Sequence, residues 1–229
     1  MRISIIVPTL NEQECIIPTL QSLQQLEGEK EIIVVDGGSS DETRSRASRE
    51  RARVLTTPPG RGVQMHAGAL EAAGDVLWFL HADTVPPVHA LEEIRMYLED
   101  PLVVGGNFGL VFDGCSRSAK QLTAVYPILR MLGLCYGDSG IFVKRDVYHQ
   151  IGGFRPFALF EDLDLLRRLR RVGKFVHVQS KIVTSSRRFE QRNFALVWLQ
   201  WTALQVLYWC GISPNWLARK YRPIRRSAA

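Results

Sequence analysis

Apolar and polar positions follow one repeating unit along the first third of the chain. Four short apolar runs, at Ile3–Val7, Glu31–Val35, Arg53–Thr56 and Val76–Leu80, predict β-strands, and segments with helical spacing lie between them. The run at Glu31–Val35 is almost wholly apolar and β-branched, which is typical of a strand covered on both faces. This alternation predicts an α/β fold: a Rossmann-like, mostly parallel central sheet flanked by helices.

The rest of the chain is less regular. We predict helices over Pro86–Leu98, Ser116–Leu132 and Glu161–Arg171, and strands over Val103–Phe112, Ile141–Val143, Lys174–Val178 and Lys181–Thr184. A last, strongly apolar helix is predicted over Phe194–Ile212. We therefore expect a main domain over residues 1–185 and a basic and apolar helical extension over residues 186–229.

Two polar pairs in the first half have the spacing of a capping box. Thr9 with Glu12, and Ser39 with Glu42, each place a hydroxyl three residues before a glutamate. A third helix, predicted to begin at Arg61, ends before Gly74. For Ser39 the sequence leaves two interpretations open, a helix cap or a contact with ligand.

Positive charge is concentrated near the carboxyl end. The 229 residues include 29 Lys and Arg against 23 Asp and Glu, a formal net charge of +6. A basic end binds nucleic acid, anionic lipid or a phosphorylated ligand, or it is a solvated face that keeps the protein soluble. The basic residues of this end are Arg187, Arg188, Arg192, Arg219, Lys220, Arg222, Arg225 and Arg226.

The apolar helix at Phe194–Ile212 approaches the ~20 residues that cross a bilayer. Its glutamines and its three tryptophans fit a helix lying at the membrane interface better than one spanning the membrane. Packing on the main domain, or on a second subunit in a homo-oligomer, is the other interpretation. Membrane contact would imply a lipid-linked or otherwise apolar acceptor, and we expect no nucleic-acid partner.

The four cysteines, Cys15, Cys115, Cys135 and Cys210, are scattered without a CxxC pair. We expect reduced, mostly buried thiols rather than a zinc site or a disulfide framework. The first residues form a strand pattern that is too short for a signal peptide. These features predict a cytoplasmic protein, with peripheral contact at the inner face of the cell membrane left open.

Polar side chains follow the predicted strands at the points where they end. Asn11 and Glu12 follow the first strand, Asp36 and Ser39 the second, and Asp83 the fourth. Ligands of open α/β sheets bind beyond the carboxyl ends of the strands, so these side chains are expected to border one crevice.

Two common nucleotide motifs are missing from the sequence. The segment after the first strand lacks G-x-G-x-x-G, which argues against a nicotinamide or flavin cofactor, and a P-loop signature is also missing. Phosphates would then be neutralised by a divalent cation, Mg²⁺ or Mn²⁺, and Asp83 is placed to hold it.

Six sequence blocks together cover roughly residues 2–175. The blocks are IIVPTLNE (Ile5–Glu12), IIVVDGGSSDET (Ile32–Thr43), GRGVQMHAGA (Gly60–Ala69), LHADT (Leu80–Thr84), IGGF (Ile151–Phe154) and FEDLDLLRRLRRVGK (Phe160–Lys174). In order and spacing, these blocks resemble those of one enzyme family, the family 2 glycosyltransferases of GT-A fold.

The resemblance implies a nucleotide-sugar donor site, with a UDP-sugar expected. Asp36 would accept a hydrogen bond from the base, Arg61 would lie near the base or phosphates, and Ala82 and Asp83 would border the metal and the sugar diphosphate. The other residues expected to line the nucleoside pocket are Pro8, Thr9, Asn11 and Glu12. The family's metal motif is often Asp-x-Asp, whereas this chain has His81-Ala82-Asp83. His81 is then a ribose contact, a metal neighbour or a plain hydrogen-bonded residue.

The same resemblance places the catalytic base of an inverting transfer in the pair Glu161-Asp162, with Asp162 preferred and Glu161 second. An inverting transfer needs a carboxylate to take the proton of the acceptor hydroxyl. Asp138, in a Gly-rich segment, is expected near the acceptor or in a turn. Arg187 and Arg188 would close over the diphosphate, or face lipid or solvent.

Two other functions remain open from the sequence. A nucleotidyltransferase would share the strand-end acid, but it usually carries a Gly- and Arg-rich loop after the first strand, which is missing here. A non-catalytic nucleotide-sugar-binding module would not need Glu161 and Asp162, and both are present.

Overall fold

A computed structural model describes residues 1–114, 116–131, 137–187 and 194–220. The strands are β1 (Ile3–Thr9), β2 (Lys30–Asp36), β3 (Arg53–Thr56), β4 (Val76–Phe79), β5 (Thr84–Val85), β6 (Val103–Phe112), β7 (Ile141–Lys144) and β8 (Lys174–Thr184). The helices are α1 (Ile16–Gln25), α2 (Thr43–Arg49), α3 (Arg61–Leu70), α4 (Ala90–Leu98), α5 (Arg117–Met131), α6 (Arg145–Gln150), α7 (Glu161–Leu169), α8 (Phe194–Trp209) and α9 (Pro214–Lys220). A 3-10 turn occupies Gly137–Ser139.

All of these strands belong to one sheet of order β3-β2-β1-β4-β7-β6-β8-β5. The pairs β2/β3, β1/β2, β1/β4 and β6/β8 are parallel, whereas β4/β7, β6/β7 and β5/β8 are antiparallel. The predicted α/β fold with a mostly parallel sheet is therefore confirmed. Strand β7 is the point at which the parallel first half changes to a mixed second half.

The sheet is covered on both faces, and every residue of its central strands β1 and β4 is buried. On β1, Ile5 packs with Leu20 and Leu23 of α1, whereas the next residue, Ile6, packs with Met65 of α3. Successive side chains of a strand point to opposite faces, and each fully buried aliphatic side chain contributes about 1.5–3 kcal/mol. One face carries α1, α2, α4 and α5, and the other carries α3, α6 and α7.

The two last helices pack on the segment that leads into α7. Leu204 and Leu217 are buried against Leu159 and Leu163. The ring of Phe160 stacks on Tyr208 with centroids 4.9 Å apart. The predicted helix over Phe194–Ile212 is observed as α8, which ends three residues earlier. Within the described residues, no helix combines the length and the apolar character needed to cross a membrane.

Both capping-box predictions are wrong. Thr9 ends β1 in register with Asp36, and α1 begins only at Ile16, preceded by Cys15. Helix α2 begins at Thr43 without a side-chain cap, and the Ser39 hydroxyl instead accepts a hydrogen bond from a neighbouring loop. Strand pairing for Thr9, and a hydrogen bond between two loops for Ser39, prevail over the local signal.

Other boundaries also needed correction. The two strands predicted over Lys174–Thr184 form one strand, β8, which is paired with β6 across a register shift between Asn107 and Gly109. Helix α3 ends at Leu70, and α4 begins at Ala90, directly after a turn at Val88 and His89. The cysteine prediction is wrong for two thiols, since Cys15 is half-buried and Cys210 is exposed. Cys115 and Cys135 lie outside the described residues.

Candidate functional site

The buried carboxylate of Asp36 marks the end of β2. Its Oδ2 accepts hydrogen bonds from the backbone N–H groups of Gly38 at 2.9 Å and Ser39 at 2.8 Å. Its Oδ1 is also buried, yet within the described residues it has no hydrogen-bond partner. A buried oxygen without a hydrogen-bond donor carries a desolvation penalty. An N–H or O–H group of a ligand at this position would remove that penalty.

The loops after β1 and β2 are joined by reciprocal hydrogen bonds. The Asn11 N–H donates to the Ser39 hydroxyl at 2.9 Å, and the Ser40 N–H donates to Asn11 Oδ1 at 2.9 Å. The Glu12 N–H donates to the Thr43 hydroxyl at 2.7 Å. Asn11 adopts a left-handed conformation with φ 56°, which is uncommon for a residue with a side chain. The two loops thus hold each other in a fixed arrangement beside Asp36.

Gln64, which sequence reasoning missed, supports these strand ends from α3. Its buried side-chain NH₂ donates to the carbonyls of Thr9 at 2.8 Å and Val35 at 2.7 Å. A glutamine one turn into a helix gives no distinctive sequence signal. Its role becomes visible only because α3 crosses the ends of β1 and β2.

Asp83 lies beyond the end of β4 and contacts an arginine from the carboxyl end of the chain. Arg187 Nη2 donates to Asp83 Oδ2 at 3.2 Å and to Glu12 Oε2 at 2.8 Å. The preceding residue, Ala82, is buried, and its carbonyl accepts a hydrogen bond from the Thr19 hydroxyl at 2.7 Å. The acids that follow β1 and β4 thus meet at one guanidinium group.

The pair Glu161-Asp162 forms the buried start of α7. Asp162 Oδ2 accepts from the Gly137 N–H at 2.6 Å, and Oδ1 accepts from the Leu163 N–H at 2.7 Å. Burial, followed by the negative charge of Glu161, raises the pKa of Asp162 to about 6 from the ordinary 3.8. Phe160, directly before the pair, is in the left-handed region with φ 62°.

Arg61 connects this carboxylate pair to Asp138. Its Nε lies 3.1 Å from Glu161 Oε1, and its Nη1 lies 4.0 Å from Asp138 Oδ1. The same Asp138 oxygen is 2.9 Å from Nδ1 of His81. His81 is therefore a hydrogen-bonded partner of Asp138 in this structure, and the four side chains form one network beside Asp162.

A second buried network, also missed from the sequence, holds the 3-10 turn in place. Asn107 of β6 is fully buried, and its NH₂ donates to the Ser139 hydroxyl at 2.9 Å. Its Oδ1 lies 2.7 Å from His177 Nδ1. Because Ser139 follows Gly137 and Asp138, Asn107 anchors the turn that supplies an N–H to Asp162. The available signal was a single polar residue within an apolar, Gly-flanked strand.

The structure brings the predicted site residues to one end of the sheet, in two adjoining groups. The donor group, which is named for the role that the sequence predicts, contains Pro8, Thr9, Asn11, Glu12, Asp36, Ser39, Ala82, Asp83 and Arg187. The acid group contains Arg61, His81, Asp138, Glu161 and Asp162. Pro8 lies within β1 opposite Val35 and is buried. Arg188 lies outside the described residues.

Across the described ranges, no group of three or more His, Cys, Asp or Glu side chains is arranged to hold a metal ion. Asp83 alone can still fit a divalent cation, since Mg²⁺ is commonly bound by one or two carboxylates together with substrate phosphates. The contact of Asp83 with Arg187 shows that this carboxylate already pairs with a positive group.

A Rossmann-like sheet with acids at these strand ends is the architecture of GT-A enzymes. The chain belongs to glycosyl transferase family 2, whose family model matches residues 4–158. That match ends just before the pair Glu161-Asp162.

Among characterised relatives, glucosyl-3-phosphoglycerate synthase of Mycobacterium tuberculosis is 32% identical over 120 residues, which cover 48% of this chain and 36% of the relative. The chain thus matches about a third of that protein's length.

Two solved structures share the fold. The mannosyltransferase PcManGT from Pyrobaculum calidifontis, in complex with GDP-Man and Mn²⁺, superposes with a TM-score of 0.68 at 19% identity, covering 90% of this chain and 61% of that chain. Glucosyl-3-phosphoglycerate synthase from Mycobacterium tuberculosis, in complex with Mn²⁺, UDP and glucosyl-3-phosphoglycerate, has a TM-score of 0.66 at 24% identity, covering 92% of this chain and 80% of that chain.

Proposed function

We propose that this protein is an inverting glycosyltransferase that moves a sugar from a nucleoside diphosphate sugar, with UDP as the expected nucleotide, to a hydroxyl acceptor. The observation that carries the proposal is the position of the buried Asp162 carboxylate at the same end of the sheet as Asp36 and Asp83. A donor site and a general base are thereby available to one bound substrate pair.

On the donor side, the unpartnered Oδ1 of Asp36 accepts an N–H group of the base. The loops held by Asn11 and Ser39 border the nucleoside. The relatives described above bind UDP or GDP-Man together with Mn²⁺, which supports a diphosphate placed near Asp83. Thr9, Glu12 and Ala82 complete this pocket in the proposal, and Arg187 lies at its phosphate end.

Asp162 is the proposed base. The acceptor oxygen forms a bond to the anomeric carbon while the bond from that carbon to the phosphate oxygen breaks and its electron pair leaves with the diphosphate. The acceptor proton passes to Asp162, whose raised pKa of about 6 makes it a stronger base than an exposed aspartate while leaving it ionised at neutral pH. Glu161 stays ion-paired with Arg61 and is the second choice.

A divalent cation, Mg²⁺ or Mn²⁺, would be held by Asp83 and by donor phosphates. When bound, it neutralises the charge that develops on the departing diphosphate. His81 is assigned to the acid group rather than to the cation, because its Nδ1 is engaged by Asp138.

We also propose that residues 1–185 form the catalytic domain and that the extension over residues 186–229 makes peripheral contact with an anionic membrane, where a lipid-linked acceptor would be met. The apolar α8 leaves Leu199 and Trp209 well exposed, at 66% and 62%. On α9, Trp216 is half exposed and Lys220 Nζ lies 5.8 Å from its ring centroid. Aromatic side chains beside basic ones are typical of membrane-interface helices.

The test of the donor site is a thermal-shift series on the full chain. Nucleotide sugars are added with and without Mn²⁺, since a ligand that binds the folded protein raises its thermal midpoint by mass action. We expect a UDP-sugar to stabilise wild type most in Mn²⁺, and Asp83→Asn to lose the increment due to Mn²⁺. If no nucleotide sugar stabilises the protein in either condition, the proposed function is wrong.

A further inference from the structure

Arg187 occupies an unusual position between two acids of the donor site. Its Nη2 reaches the carboxylate of Glu12, beyond β1, and that of Asp83, beyond β4. The side chain is partly exposed, at 43%, while the two acids are more covered, at 27% and 20%. An isolated exposed ion pair contributes little stability. Here, however, one nitrogen bridges two carboxylates at the position proposed for the cation.

Arg187 brings a permanent positive charge to this cluster, because a guanidinium group is not deprotonated in proteins. Its Nη2 donates to the carboxylates of both Glu12 and Asp83. Without it, the carboxylates of Glu12 and Asp83 would repel each other across a short distance.

We propose that Arg187 is the counter-cation of Asp83 when no donor is bound, and that it exchanges places there with the divalent cation of the donor complex. This inference rests on the proposed function. In the exchange, the hydrogen bond from the Arg187 guanidinium to Asp83 Oδ2 breaks, and this oxygen would then coordinate the divalent cation. Arg187 then turns toward the diphosphate, whose oxygens suit a planar guanidinium fork.

Arg187 thereby sets how strongly the donor site depends on a cation. Metal added alone has to compete with the arginine for Asp83, so its apparent affinity is reduced by the fraction of protein in which Asp83 is engaged. When metal is scarce, Arg187 is still present as a positive partner for the diphosphate.

The first experiment measures binding of Mn²⁺ alone to the full chain, by the loss of the free Mn²⁺ signal in electron paramagnetic resonance. We expect Arg187→Gln to bind Mn²⁺ on the order of tenfold more tightly than wild type, because a positive neighbour of Asp83 is gone. Arg187→Lys should stay close to wild type. Adding Asp83→Asn to Arg187→Gln should abolish the gain.

The matched control is Arg53→Gln. It removes an arginine of the edge strand β3 from an exposed ion pair with Glu71. Its Mn²⁺ affinity should equal that of wild type. If Arg187→Gln lowers the thermal midpoint, Arg187→Met is the second variant, because methionine keeps much of the apolar part of the arginine side chain. Arg187→Met is expected to show the same gain in Mn²⁺ affinity.

The second experiment measures the affinity for UDP in EDTA and in Mn²⁺. Arg187→Gln should lose more affinity in EDTA, where the arginine is the available cation, than in Mn²⁺. A Mn²⁺ affinity of Arg187→Gln within about twofold of wild type, or a gain that survives Asp83→Asn, overturns the exchange. If wild type meanwhile binds UDP in Mn²⁺, the donor site itself stands. If it binds no nucleotide, both the exchange and the proposed function are wrong.

Discussion

The two groups of site residues are built by different means. The donor group rests on β1, β2 and β4, which are neighbouring parallel strands, and its residues lie directly at the strand ends. The acid group depends on a 3-10 turn, on the start of α7 and on α3, which are far apart in sequence. Asp36 is fixed by two N–H groups within three residues of it, whereas Asp162 takes its Oδ2 partner from Gly137, twenty-five positions away.

In the proposed function this difference separates binding from chemistry. Acids that are fixed at strand ends can pair with hydrogen-bond donors of a ligand or with cations, which suits tight recognition. The acid group instead holds two adjacent carboxylates in a buried place, where both cannot be charged without cost. Backbone strain occurs in each group, at Asn11 and at Phe160, which are the two non-glycine residues with positive φ in the described part of the chain.

The largest expected effect separates the two groups by activity. Asp162→Asn should lower turnover by about 10²–10⁴-fold, because the amide cannot take the acceptor proton. Binding of UDP should be unchanged, since Asp162 lies outside the donor group. Steady-state kinetics together with calorimetric titration of UDP would check this. Asp146→Asn, an exposed acid at the start of α6, is the control. Unimpaired transfer by Asp162→Asn would remove the base assignment.

The next effect concerns the stability of the same variant: Asp162→Asn lowers turnover but is expected to raise the free energy of unfolding relative to wild type as the pH rises. Because the pKa of Asp162 is raised to about 6 in the folded protein from 3.8, the unfolded chain ionises first, and folding stability falls as the pH rises from about 4 to about 6. Above that range the penalty is constant. Asp162→Asn loses one of the two backbone hydrogen bonds to the carboxylate at every pH, but relative to wild type it should gain on the order of 2 kcal/mol in the free energy of unfolding between pH 4 and pH 8.

Urea unfolding of wild type and Asp162→Asn at several pH values would check this. The gain should shrink as the pH falls through the window between these two pKa values and vanish below it. If the free energies of unfolding of Asp162→Asn and wild type differ by the same amount at every pH, folding does not raise the pKa of Asp162.

A smaller effect is expected within the donor group. Asp36→Asn should weaken UDP binding by roughly tenfold, because an amide cannot offer both a backbone-bonded oxygen and a free acceptor as the carboxylate does. The loss should be the same with and without Mn²⁺, whereas the loss in Asp83→Asn should appear only with the metal. Calorimetric titrations distinguish the two. If Asp36→Asn binds UDP with unchanged affinity, the nucleobase does not contact Asp36.

The smallest effect concerns the carboxyl-terminal helices. Trp209→Ser should reduce binding to phosphatidylserine-containing vesicles by a few-fold, on the order of fivefold, because an exposed aromatic anchor is lost. Leu70→Ser, an exposed apolar residue at the end of α3, should leave it unchanged. Sedimentation with vesicles gives the measurement. Failure of wild type to sediment, or a concentration-dependent dimer in solution instead, would contradict membrane contact.

The first part of the fold, from β1 to β4, could be predicted because its sequence signals are local. A buried parallel strand is recognised as an apolar run, and the residue that follows it is then known from its position in the sequence, as for Asp36 and Asp83. The second half was harder, since β8 continues through a polar stretch where two strands were predicted. The length of β8 depends on pairing with β6, which no local pattern reports.

The supports of the site were the least predictable part. Asn107 and Gln64 act through backbone groups or turns that are distant in sequence, so their importance depends on the assembled sheet. The capping boxes failed for the same reason, because Ser39 found its partner in a neighbouring loop. The contact of Arg187 with Glu12 joins positions 175 residues apart, beyond any spacing rule.

The ring of Phe160 lies against Tyr208 and Trp201 of α8, and its backbone is the strained link into Glu161-Asp162. The last helices therefore support the acids that we propose as catalytic, in addition to forming an outer surface. Shortening the chain ahead of α8 would relax that link, so a trimmed enzyme is expected to keep its grip on nucleotide while losing the alignment of its base.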